Sequence, residues 1–171
     1  MLSGKHSHER ELSPSQEHYL RAIWELRSGR GYARLADLAR ALEVTPATLS
    51  VGLRPLEARG LVAHDDQRFL LLTPAGERVA REVHHRYTVL RSFLHDVLRV
   101  PAATAEREAC LIEHDISGTT TERIVDFLKL LQEDREVGAP FQARFDAFHR
   151  SCGATRPCTD CGLACLTPAP R

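Results

Sequence analysis

Cys110, Glu113 and His114 bring a thiol, a carboxylate and an imidazole to the i, i+3 and i+4 positions of one helical register. That spacing puts all three on one helix face, which is what a divalent transition metal needs from a single element. Binding there requires Cys110 to lose its proton, so occupancy depends on pH. The other cysteines, Cys152, Cys158, Cys161 and Cys165, crowd the C-terminal end, within 14 residues of one another. In a cytosolic chain such a cluster points to a metal or cluster site rather than a disulfide framework. The Cys158-x-x-Cys161 turn places two thiolates for one tetrahedral metal or one cluster edge. The compactness favours an iron–sulfur cluster over a structural zinc, and a redox-active tail without metal is the third reading.

The whole chain sets modest bounds. Its 171 residues, 43% hydrophobic and 27% charged, have the balance of one ordinary globular domain or two small ones sharing a core. No apolar run has the length of a membrane span, and the polar start, Met1 to Glu11, has no signal-peptide core, so a cytoplasmic protein is expected. Formal net charge is zero, and the basic residues are almost all Arg, with Lys only at positions 5 and 129. Contact with nucleic acid must therefore come from local Arg placement, helix N-termini and backbone amides. Neither a Ser/His/Asp set nor a Gly-rich phosphate loop is present, so no enzyme is expected.

The elements that must position these groups are mainly helical. Ser13-Pro14-Ser15 starts a helix carrying Tyr19, Leu20, Ile23, Trp24 and Leu26, and Gly29 to Gly31 ends it. Tyr32 and Ala33 read as extended. A short helix over 34–42 turns at Glu43-Val44 into another, opened by Thr45-Pro46, with Leu49, Leu53 and Leu56 inward and Gly60 as its stop. This is the helix-turn-helix pattern. Leu61-Val62 and Phe69 to Leu72 flank the polar segment His64 to Arg68 and predict a two-stranded wing. Thr73-Pro74 caps a long helix with the stripe Val79, Val83, Tyr87, Leu90, Leu94 and Val97, longer than a winged helix needs. Its His84 and His85 read as a solvated face, and His64 as a loop residue of the wing tip. After Pro101, Ala105, Ala109, Ile112 and Ile116 form an apolar face beside the donor face. Thr119 to Thr121 are expected to cap a helix bearing Ile124, Phe127, Leu128 and Leu131. A polar break over 132–138 then precedes a short helix with Phe141, Phe145 and Phe148.

In the second helix of the pair, Thr45, Pro46, Thr48, Ser50, Val51 and Arg54 are the groove-facing candidates, joined by Arg68 in the wing. Thr45 and the helix N-terminus suit phosphate, Ser50 and Val51 suit base edges, and Arg54 suits phosphate or guanine. Pro55 removes one hydrogen bond from the last turn.

The order of winged helix, linking helix and metal-binding helical region resembles the iron- and manganese-dependent repressors related to the diphtheria toxin repressor. The resemblance runs from about Ser13 to about Leu131. Glu17 to Ile23, Leu35 to Ala39, Leu56 to Val62, Leu72 to Gly76 and Glu108 to His114 carry it, the last being the specific piece. It implies a mainly α fold: a flexible tail over 1–12, a winged-helix DNA-binding domain over 13–73, a linking helix with the metal-binding and dimerisation domain over 74–138, and a short helix with the Cys-rich tail over 139–171. It implies a primary metal site of Cys110, Glu113 and His114, with His18 in the fourth position, where relatives carry Asp or Met. Such donors suit Fe(II), Co(II), Ni(II) or Zn(II) better than Mn(II). Where relatives place a second metal, this chain has Tyr87 and Arg91, with Glu106 in place of a His.

The function so implied is a homodimeric, metal-dependent DNA-binding regulator, a repressor of metal homeostasis with iron as the expected ion and a double-stranded operator as partner. Metal would tie the first helix to the dimerisation region and fix the two readers at operator spacing. Two alternatives are an iron–sulfur or redox-sensing winged helix using the tail, and a small-ligand regulator of the MarR type. A third, an accessory iron protein, would use the winged helix for protein contact.

Overall fold

The computed structural model describes residues 12–152. Two compact units divide the chain after Glu122.

In the first unit, helix α1 (Pro14–Arg30) begins where Ser13 and Gln16 cap each other. The Ser13 hydroxyl accepts the Gln16 N–H at 3.3 Å, and the Gln16 side chain accepts the Ser13 N–H at 3.0 Å. Gly31 ends the helix at φ 80°, a left-handed conformation that costs glycine little. Leu20 and Ile23 lie in the core without solvent contact. Helices α2 (Leu35–Ala41) and α3 (Pro46–Ala58) follow as the expected pair, and α3 continues past Pro55. The Thr45 hydroxyl caps α3 by accepting the Thr48 N–H at 3.1 Å. Leu38, Leu49, Leu53 and Leu56 close this core.

Strands β1 (Val62–His64) and β2 (Leu70–Leu72) pair antiparallel, Val62 opposite Leu72 and His64 opposite Leu70. The extended segment at Tyr32 and Ala33 meets this wing through one bond, from the Leu70 N–H to the Ala33 carbonyl at 2.8 Å. His64 closes β1 instead of sitting in the tip, paired with Leu70, and its ring bonds Glu57 of α3 at 2.9 Å.

Helix α4 (Pro74–Ser92) starts at a Thr73 cap and runs into a π-helical turn, Phe93–Val97. Its buried side chains are Ala80, Val83, Val89, Leu90 and Val97, while Val79, Tyr87 and Leu94 of the expected stripe are only half-buried. The π turn inserts a residue and rotates the apolar face, a register change that fixed 3.6-residue spacing does not anticipate. Helix α4 packs against both α1 and α5 (Ala102–Ile112). On α5 the inward row is Ala105, Ala109 and then Glu113. Ile112, expected inward, is 43% exposed. Helix α6 (Gly118–Glu133) is capped by Ser117, whose hydroxyl accepts the Thr120 N–H at 3.2 Å, and not by Thr119 to Thr121.

The second unit holds the rest of α6 and helix α7 (Arg135–Cys152). The expected long polar break is one residue. Asp134 accepts the N–H groups of Glu136 at 2.9 Å and Val137 at 3.2 Å, satisfying the first donors of α7 and letting it start at once. Phe141 meets Phe127 edge-on at 5.8 Å and stacks on Phe145 at 6.2 Å. Among the described residues, no helix is long and apolar enough to cross a membrane.

Candidate metal centre and DNA-reading face

Glu113 follows Ala105 and Ala109 on the inward side of α5, so the packing that buries two alanines also buries its carboxylate. It is 0% exposed, and neither oxygen has a hydrogen-bond partner. An ionised carboxylate in that position is costly. Burial therefore pushes the Glu113 pKa up to about 7, with Glu17 adding to the rise and Arg21, His114 and Arg86 opposing it. Cys110, one turn earlier, is a half-buried free thiol, and burial also raises its pKa. The Cys110 thiol therefore keeps its proton at neutral pH, where Glu113 is divided between its two forms.

His114 follows Glu113 in the turn that ends α5. Its Nδ1 lies 2.9 Å from Glu17 Oε2 on α1, and its Nε2 lies 4.0 Å from Glu113 Oε1. A carboxylate at Nδ1 holds the proton there and leaves Nε2 with a free lone pair, the orientation a ligating His requires. Arg86 of α4 braces this arrangement. Its Nη2 donates to Glu17 at 3.0 Å and its Nε to the Glu113 carbonyl at 2.9 Å, so one guanidinium joins α1, α4 and the end of α5. An open cleft of about 790 Å³, lined by Glu17, Glu82, Arg86, His114 and Asp115 among others, gives solvent a route to this side.

His18 lies on α1, half-buried, one residue from Glu17. Burial, followed by the charges of Arg21 and His114, pushes its pKa down to about 4, so its ring is a neutral donor at neutral pH. Arg21 stands among these groups. It is 5% exposed, with Nη2 3.2 Å from Cys110 Sγ, Nε 3.6 Å from Glu113 Oε1, Nη1 3.9 Å from Glu25, and its guanidinium carbon 3.9 Å above the Tyr87 ring. Among the described residues, no three His, Cys, Asp or Glu side chains converge as they stand on a point that would hold an ion.

The donor chemistry nonetheless fits a divalent cation. A thiol, two imidazoles and a carboxyl with two unpartnered buried oxygens occupy adjoining positions on α1 and the end of α5. Sequence spacing proposed Cys110, Glu113 and His114, the resemblance added His18, and neither gave Glu17, Arg21 or Arg86 a role. Arg21 had a signal: it falls between Leu20 and Ile23, at an inward register where a charge needs a partner.

At the positions where the resemblance implies a second metal, Arg91 and Glu106 form an exposed ion pair at 3.9 Å, and Tyr87 carries Arg21 on its face. His85 is exposed as expected. His84 is half-buried: its ring lies 4.4 Å from Trp24 and its Nδ1 lies 3.1 Å from Glu25. Cys158, Cys161 and Cys165 lie outside the described residues, as does the side chain of Cys152.

On α3 the inward leucines leave Thr45, Pro46, Thr48, Ser50, Val51 and Arg54 exposed, Val51 to 60%. The Thr45 hydroxyl also lies 2.9 Å from that of Thr48, so its oxygen serves the helix cap first. Arg68 is exposed in the wing turn at φ 62°.

Two protein families match this chain in succession. One is described as the iron dependent repressor N-terminal DNA binding domain, over residues 11–70, and the other as the iron dependent repressor metal binding and dimerisation domain, over residues 73–140. Among similar proteins, the HTH-type transcriptional regulator MntR of Geobacillus kaustophilus is 32% identical over 71% of this chain and 86% of its own length. The MntR of Lysinibacillus sphaericus is 29% identical over 77% of this chain and 94% of its own. Among solved structures, the manganese regulator SloR superimposes with a TM-score of 0.62 at 28% identity, over 69% of this chain. The IdeR of T. acidophilum gives 0.61 at 26% identity, over 70%. The chain spans 55% of the length of each of these two structures. The matched residues end before the Cys-rich tail.

Proposed function

This chain belongs to the iron-dependent repressor family, and we propose that it is a transcriptional regulator whose operator affinity is raised by one divalent ion held between α1 and the end of α5. The observation that carries this reading is the Glu113 carboxyl, fully buried with both oxygens unpartnered, beside Cys110 and His114.

His18, Cys110, Glu113 and His114 would hold the ion. A bound divalent ion would supply the positive charge that makes these donors one cross-link between the reader and the helices behind it. The chain's own residues do the rest. Glu17 keeps His114 in the ligating tautomer, Arg86 holds Glu17, and α4 carries both α1 and α5, so an adjustment at the donors reaches α1 directly. Helix α1 packs on α3, whose exposed face with Thr45, Thr48, Ser50, Val51 and Arg54 is the proposed reader. Fixing α1 removes the ordering cost of presenting two such faces from a dimer to one operator.

The solved relatives include a manganese regulator and a manganese-dependent repressor in complex with manganese. A thiol in the donor set favours Fe(II), with Co(II) and Zn(II) as surrogates, over Mn(II). The Arg91–Glu106 pair supports a count of one ion per chain in this region.

The test is an anisotropy titration of the full chain against DNA selected from a random pool, under anaerobic conditions, with and without Fe(II). Fe(II) is expected to tighten binding at least ~10-fold, and Cys110→Ser with His114→Ala is expected to abolish that response. Equal tightening in the double variant would sink the proposed site.

A further inference from the structure

We propose that the Arg21 guanidinium is a built-in competitor for the metal: it is the resident cation of the metal-free site and sets the free-ion concentration at which the site loads. This rests on Cys110 and Glu113 being ligands, as proposed above.

A guanidinium that is 5% exposed needs acceptors or π faces around it, and Arg21 draws its polar neighbours largely from the donor set. Its shortest contact is to Cys110 Sγ, at 3.2 Å. Its Nε lies 3.6 Å from Glu113 Oε1, within ion-pair reach but too far for a hydrogen bond, so both atoms are left without a partner. Arg21 thus stands between two donors without satisfying either fully. Ligands must approach a transition metal to about 2.0–2.3 Å, and a second cation ~4 Å from the ion would repel it. Loading therefore requires Arg21 to release Cys110 and Glu113. It has somewhere to go: Glu25, exposed one turn further along α1, already lies 3.9 Å from Nη1, and the Tyr87 ring lies 3.9 Å from the guanidinium carbon.

The cost of moving Arg21 is the same for every divalent ion. Its effect is a raised loading threshold for all ions alike, while their order, thiolate-preferring ions first and oxygen-preferring Mn(II) last, is set by the donors. Arg21 is then a threshold-setting residue that never touches the bound ion.

The experiment uses the full chain with Cys152, Cys158, Cys161 and Cys165 changed to Ser, leaving Cys110 as the only thiol. Arg21→Met removes the charge, Arg21→Gln removes it while keeping a donor for Cys110, and Arg21→Lys keeps it. Zn(II) affinity is read by competition with a chromophoric chelator, Co(II) by its thiolate charge-transfer band, Mn(II) by electron paramagnetic resonance, and melting temperature with and without Zn(II). Both neutral variants are expected to bind all three ions at least ~10-fold tighter, with Arg21→Lys within ~3-fold of the parent. Their metal-free melting temperature should fall while the rise on adding Zn(II) grows. Unchanged or weaker affinity, with free and loaded forms destabilised equally, would make Arg21 a structural support and overturn the proposal. If Arg21→Met does not fold, Arg21→Gln is judged by the same outcomes. If the parent shows no cobalt–thiolate band and Cys110→Ser binds Zn(II) as well as the parent, the ligand assignment itself fails, and this proposal with it.

Discussion

Glu113 and His18 are displaced in opposite directions for one reason: the pocket disfavours charge on either. Glu113 keeps its proton up to about pH 7, whereas His18 has lost its own by about 4. Loading an ion at pH 6 must therefore release protons from both Glu113 and Cys110, while at pH 8 only Cys110 has one to give. Calorimetry in buffers of differing ionisation enthalpy should count ~2 protons per ion at the lower pH and ~1 at the higher, with affinity falling on acidification. For the metal-free protein, the raised Glu113 pKa means the native state binds the extra proton between the usual carboxylate range and about 7, so stability declines as pH rises through that window. The lowered His18 pKa acts oppositely, removing stability as pH falls from 6.5 toward 4. Glu113→Gln should leave only the second slope, so urea denaturation should show stability rising steadily with pH over that range. Glu17→Gln, which keeps the shape and removes the charge from the His114 Nδ1 contact, should weaken metal binding ~10- to 100-fold with little change in fold, as read by chelator competition.

At the scale of elements, α4 is seated by contact with the wing. A Cβ on Gly76 would come 2.0 Å from the Leu61 carbonyl oxygen, whereas one on Gly52 would meet only the movable ring of Tyr19, at 2.5 Å. Gly76→Ala should therefore destabilise the protein by ~1–3 kcal/mol, and more than Gly52→Ala, in chemical denaturation. Most element boundaries were legible because capping chemistry is local: Ser13, Gly31, Thr45 and Thr73 each act within three or four residues of chain. The face of each helix was less legible. Apolar periodicity could not show that a carboxylate continues the Ala105–Ala109 row while Ile112 turns outward, nor that a π turn rotates the end of α4. The donor triplet could be read because its members share one helix. The partners of Arg21 and Arg86 could not, because they lie 89 and 69 residues away.

For the molecule as a whole, a net charge of zero means that DNA binding must come from a few placed cations. Arg68, exposed in the wing turn, is one proposed to meet phosphate. Arg68→Ala should weaken binding to all sequences alike and reduce the slope of log affinity against log salt by ~1 in magnitude. The Arg91–Glu106 pair has a consequence for the dose response. With a covalently tethered charge where another ion would be recruited, a single chain fills along a simple hyperbola, taking roughly two decades of free ion from mostly empty to mostly full. Any sharper transcriptional threshold must then arise from paired protomers meeting DNA together, and the cell would experience this regulator as a dimmer more than a trigger.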